Sequence, residues 1–101
     1  MNIYLLSQSE SYNYDTYSSC VVCAENEKEA RRIHPRNYSD VFYDENKKQF
    51  LSKNVYGEEY VFEDDSFGVW TNNIEYIEVK YLGVADNSIK KGVLLSSYNA
   101  G

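Results

Sequence analysis

The stretch Gly92-Val93-Leu94-Leu95-Ser96-Ser97-Tyr98-Asn99-Ala100-Gly101 is the strongest constraint on what this chain can fold into. It holds no charge and no proline, and leaving its apolar surface against water would cost about 25 cal/mol per Å². Chain ends fray unless something ties them down, so this segment reads as a strand, Val93 to Tyr98, held in a sheet. Its match in composition is Ile3 to Gln8, where Leu5-Leu6-Ser7-Gln8 parallels Leu94-Leu95-Ser96-Ser97. These two most apolar runs are expected to be central neighbours, paired in parallel and ending at one rim of the sheet.

The remaining elements follow from local signals. Residues 9–17 form a polar, aromatic loop rich in turn-favouring side chains. A second strand covers 18–24, after which the period changes. Asn26 is a good helix N-cap, Glu29 three residues on completes a capping-box-like signal, and Glu27 to Arg31 is an i,i+4 pair in the favourable order. Pro35 blocks continuation, so a short helix is expected over 26–34. Gln49-Phe50-Leu51 and Tyr60-Val61-Phe62, separated by Asn54-Val55-Tyr56-Gly57, suggest a hairpin within an otherwise hard-to-read stretch from 36 to 73. Ile74 to Leu82 alternates, with Ile77, Val79 and Tyr81 on one face and Tyr76, Glu78 and Lys80 on the other. Asp86 to Lys91 reads as a turn closed by Gly92. The order β-β-α-(insert)-β-β predicts an α+β domain: a small mixed sheet of about four to six strands with one helix packed on one face.

Composition sets the limits. A chain of 101 residues, 43% hydrophobic and 26% charged, suits one folded domain spanning 1–101 and not a disordered chain. A net charge of −6 argues against direct nucleic-acid binding, which normally needs a basic face to displace counterions. The acidic positions Glu58-Glu59 and Glu63-Asp64-Asp65 could instead meet the basic groove of a nucleic-acid enzyme as a partner-binding surface, or simply keep the protein solvated. Eleven tyrosines supply rings that pack and hydroxyls that bond, a composition that suits interfaces as well as sheet faces. The start, Met1-Asn2-Ile3-Tyr4-Leu5-Leu6-Ser7, lacks the basic segment and long apolar run of a leader, so a cytoplasmic location and no membrane contact are expected.

Cys20 and Cys23 have the C-x-x-C spacing of a redox or zinc half-site. On a strand, however, positions three apart face opposite ways, and a single histidine leaves a metal short of ligands. Two structural cysteines and no metal or other cofactor are expected. No H-E-x-x-H, G-x-S-x-G or phosphate-binding glycine loop occurs. His34 with Asp15 suggests a base and its orienter, but without a placed nucleophile the chain does not read as an enzyme.

If the first and last strands end together, Tyr12, Tyr14, Asp15, Tyr17, Arg31, His34, Tyr98 and Asn99 share one rim. Aromatics there could stack a flat ligand, an arginine could pair a phosphate or carboxylate, and Asp15 and Asn99 could orient it. The same residues could equally cap the loop, the helix end and the tail.

Three segments together, Tyr14-Asp15-Thr16-Tyr17, Ala24-Glu25-Asn26-Glu27-Lys28-Glu29-Ala30-Arg31-Arg32-Ile33-His34-Pro35 and Gly92 to Gly101, resemble a group of small proteins of bacteriophages, prophages and their hosts, with a tryptophan where Trp70 stands. The resemblance covers about half the chain and does not extend to 36–69. It implies a phage context, in which small proteins are often suspected of blocking bacterial defence. A tyrosine-rich acidic chain with no catalytic motif is then expected to be a non-enzymatic inhibitor that binds a host defence protein, in the manner of anti-CRISPR proteins, or sequesters a nucleotide signal in the bacterial cytoplasm. A phage structural or regulatory protein without a defence role is the alternative. Tyr76 on an outer strand face leaves room for a homodimer.

Overall fold

Strand β1 (Asn2–Ser7) alternates in burial, with Tyr4 and Leu6 in the core and Ile3 and Leu5 half-buried on the opposite face. The structure, a computed structural model, describes residues 1–8, 16–36, 41–61, 70–71 and 73–99. β2 (Thr16–Ala24) pairs antiparallel with β1 in a register that sets Val22 opposite Tyr4 and Cys20 opposite Leu6, extending the same inner face. β6 (Glu78–Val84) takes the other edge of β1, also antiparallel, with a bulge at the Ile3/Tyr4 step. β7 (Gly92–Asn99) closes the four-stranded sheet on the far side of β2, giving the order β6-β1-β2-β7.

The last strand therefore runs in the same direction as β1 but is not its neighbour: β2 lies between them, and the expected parallel pairing is replaced by antiparallel β2–β7 pairing. Nor is β7 central. It is an outer strand whose Leu95 is 69% exposed, so its apolar content does not reflect burial on two faces. Runs as alike as Leu-Leu-Ser-Gln and Leu-Leu-Ser-Ser do not say which strand they sit beside. Antiparallel pairing is slightly more stable per residue than parallel pairing, and the chain between β6 and β7 passes from one edge of the sheet to the other.

The helix is shorter than the expected 26–34. α1 (Glu27–Ala30) is one turn, after which Arg32 and Ile33 donate to Glu29 and Ala30 carbonyls in tighter i,i+3 bonds. Its start matches the sequence reading: the Asn26 side chain accepts from the Glu29 N–H at 2.8 Å, while Glu29 Oε1 accepts from the Glu25 N–H at 3.0 Å. So short a helix has little stability of its own. Asn26→Ala is expected to lower unfolding free energy by about 1 kcal/mol, read as a lower urea midpoint at unchanged m-value.

The stretch that was opaque in the sequence forms a second, three-stranded sheet, order β3-β4-β5. The expected hairpin is present as β4 (Gln49–Lys53) and β5 (Glu59–Val61). β3 (Val41–Asp44) adds a strand the sequence did not signal. With it the described residues hold seven strands, all paired antiparallel. The architecture is α+β, and one core joins the two sheets: Tyr4, Leu6, Cys20 and Val22 from the first meet Phe50 from the second, with Ala30, Trp70, Ile74 and Ile77 between.

Ahead of β6, Ile74–Tyr76 is a turn of 3-10 helix capped by the Asn73 side chain, so the expected strand begins at Glu78 and not at Ile74. Tyr76 is exposed on that turn and not on an outer strand face, which removes the observation behind dimerisation through it. Asp86 holds the next turn, accepting from the Ser88 N–H at 2.8 Å, and Gly92 opens β7 at φ 136°.

Candidate functional site

Of the rim expected from the two chain ends, the described residues place only one strand pairing, through a different neighbour. β7 ends beside the start of β2, with Tyr98 opposite Tyr17 and Asn99 opposite Thr16. Tyr17 packs against the core, and its carbonyl accepts from Gln8 Nε2 at 2.7 Å. Gln8 in turn accepts the Thr71 N–H at 2.9 Å, so this rim is braced from the middle of the chain. Tyr12, Tyr14 and Asp15, with the acidic Glu63, Asp64 and Asp65, lie outside the described residues.

Arg31 and His34 are committed elsewhere. Arg31 Nη1 donates to the carbonyls of Ile74 and Ile77, and Nη2 pairs with Glu27 at 2.9 Å. That guanidinium ties the helix to the turn preceding β6. His34 is only 6% exposed and stands edge-on to Phe50 at 5.1 Å, with Nδ1 accepting from the Arg36 N–H at 3.1 Å. Burial, helped by the nearby Arg36 charge, pushes its pKa down to about 3, so at neutral pH it is an uncharged core acceptor.

Both cysteines are buried free thiols. Cys20 shares the inner face with Val22 and Ala24, while Cys23 sits opposite Ile3 on the other face, as strand geometry requires. Burial pushes the Cys20 thiol up to about 12, which keeps it protonated and a poor nucleophile. Among the described residues no three His, Cys, Asp or Glu side chains gather to hold a metal ion.

Two further features stand at opposite ends of the second sheet. At one end, the β4–β5 turn projects large side chains into water: Val55 is 93% exposed and Tyr56 84%, with Tyr60 half-exposed behind them. The turn is held rigidly for its size. Asn54 Oδ1 accepts from the N–H groups of Tyr56 and Glu58 at 2.9 and 3.0 Å. The Asn54 N–H donates to the Glu58 carbonyl at 2.9 Å, and Gly57 supplies the left-handed φ of 80°. The expected partner-binding residues Glu58 and Glu59 flank this tip, exposed. A sequence signal existed in Asn-Val-Tyr-Gly, a turn whose central residues are apolar where turns are usually polar.

At the other end, the β3–β4 turn carries Lys47 and Lys48 across a cleft from helix α1. Asp44 Oδ1 accepts from the N–H groups of Asn46 and Lys47 at 2.8 and 2.9 Å, and Lys48 adopts a left-handed φ of 51°. Two clefts of about 650 and 920 Å³ open on the flanks of α1 and share Lys28, Arg32, Tyr43 and Glu45 as their common wall. Arg32 forms a two-point ion pair with Glu45 and lies 5.7 Å from the Tyr43 ring centroid. The bond lowers the Glu45 pKa and raises that of Arg32. Four to five strand residues at about 3.3 Å each separate the β4–β5 tip from the lysine-bearing turn, where Asp44 and Glu45 accompany Lys47 and Lys48.

No protein-family model, curated protein or solved structure matches this chain.

Proposed function

We propose that this protein is a non-enzymatic inhibitor of a bacterial defence system, of the phage type that its segments resemble, and that it works by docking on a basic surface of a host defence protein. The β4–β5 tip carries the reading. A pre-organised turn that exposes a valine and a tyrosine beside two glutamates loses little freedom on binding, and it offers an aromatic anchor with a charged surround. Exposing Val55 and Tyr56 contributes nothing to the fold, since neither touches the core. The net charge of −6 steers such a tip toward a basic partner.

The test is a phage-challenge assay across defence systems, in cells with and without this protein, joined to pull-down from the protected cells. Wild type should restore infection against at least one system and co-purify with one of that system's proteins. Truncating an aromatic anchor typically costs about 2 kcal/mol or more, some thirtyfold in Kd. Tyr56→Ala and the pair Glu58→Lys, Glu59→Lys should therefore abolish both effects at unchanged melting temperature. Full activity of those variants would sink the docking mode, and protection against no system would sink the anti-defence role. Recovery of only phage proteins would favour a structural or regulatory part in the phage itself.

A further inference from the structure

We infer that the two clefts flanking helix α1 form a single binding site for a nucleotide carrying several phosphates. The distribution of charge leads to it. This chain is acidic overall, yet six of its ten basic residues, Lys28, Arg31, Arg32, Lys47, Lys48 and Lys91, line these clefts.

Their pairing separates the clefts into two chemistries. In the larger cleft, Arg31 is spent on Glu27 and Arg32 on Glu45. Lys28, Lys47 and Lys48 form no ion pair among the described residues, although Lys28 also lies within Coulombic reach of Glu45, and the lining as a whole carries two more positive than negative charges. In the smaller cleft, Lys91 is paired with Glu29 at 3.2 Å, and Ile33 and Val41 supply apolar surface among polar neighbours that include Asn26, His34 and Glu45. The Arg32–Glu45 pair, backed by Tyr43, stands between them. A chamber with an excess of cations joined to one with apolar patches among polar groups suits a ligand with phosphates at one end and a flat base at the other. Each cleft falls within the roughly 300–1,000 Å³ of small-molecule sites.

Nucleic acid fits less well. Its phosphates continue past the site in both directions, and the acidic remainder of the surface would repel them. A free nucleotide presents its charge only where the lysines stand. The site is separate from the β4–β5 tip, so it neither requires nor supports the docking reading.

Calorimetric titration of the whole protein with ATP, with inorganic triphosphate, and with a uridine hexanucleotide tests the assignment at 50 mM salt. ATP is expected to bind, triphosphate more weakly, and the oligonucleotide weakest. Removing a lysine should cost about threefold to fivefold each, the upper range for exposed ion pairs, and 500 mM salt should weaken binding further. Lys48→Asn is the informative variant. It deletes a charge while placing at φ 51° a residue that tolerates the left-handed region better than lysine does. Its stability should hold or rise as affinity falls, so lost binding cannot be blamed on misfolding. Absence of binding by both ATP and triphosphate at millimolar concentration would overturn the site, as would affinities unchanged in Lys47→Gln with Lys48→Asn. Tighter binding of the oligonucleotide than of ATP would overturn the ligand class.

Discussion

Replacing Phe50 with alanine is expected to remove about 3–5 kcal/mol of stability, the usual cost of deleting a buried aromatic ring. Against the roughly 5–15 kcal/mol that holds a domain of this kind together, that is enough to leave much of the protein unfolded at 37 °C. Phe50 is 1% exposed and is the ring through which the second sheet enters the common core. It stands edge-on to His34 and Tyr43, each at 5.1 Å between centroids. Its loss therefore opens a cavity between the sheets and not within one of them. Urea denaturation followed by circular dichroism and by tryptophan fluorescence should show a lower midpoint by both probes together, because Trp70 belongs to the same cluster. A loss below about 1 kcal/mol would mean that the sheets are not joined by a shared core.

Acid should weaken this protein well above the range where carboxylates titrate. His34 is buried and uncharged in the fold, with its pKa pushed down to about 3 from an ordinary value of 6.5. Below pH 6.5 the unfolded chain takes up a proton at this side chain that the folded state refuses. The stabilising contribution is thus complete above pH 6.5 and is lost progressively as pH falls toward 3, at about 1.4 kcal/mol per pH unit. The total lost by pH 3 is on the order of 4 kcal/mol, since full burial without relaxation sets the upper limit. His34→Gln, which cannot titrate, isolates the effect from the carboxylates common to both proteins. Its stability deficit relative to wild type should be largest at pH 7.5 and shrink steadily between pH 6.5 and 4. A deficit that stays constant over that interval would show that His34 is accessible to protons in the folded state.

Local chemistry alone determined a good part of this protein. The N-cap at Asn26, the β4–β5 hairpin, the opposed faces of Cys20 and Cys23, and the strand character of both chain ends are written in short-range signals. Alternation, capping and turn residues act over a few positions, so nearby residues suffice to read them. The α+β class followed from their order. What only the tertiary structure decided is which strands are neighbours and what each side chain is used for. Two runs as alike as Leu5-Leu6-Ser7 and Leu94-Leu95-Ser96 are interchangeable in hydropathy, yet one became a central strand and the other an edge. β3 has two aromatics but partners that stand five to eleven residues away in sequence, and nothing in Val-Phe-Tyr-Asp alone announces it. Arg31 and His34 looked like ligand-binding groups because arginine and histidine often are. Their roles were decided by the carbonyls of Ile74 and Ile77 in one case and by burial against Phe50 in the other. Lys28 and Lys47 of the α1 clefts are nineteen positions apart, and only the fold, which sets the β3–β4 turn across a cleft from the helix, brings their charges to one place. Charge and hydrogen-bonding capacity belong to the residue, but whether they are spent inside the fold or left for a partner depends on distances that a linear chain does not carry.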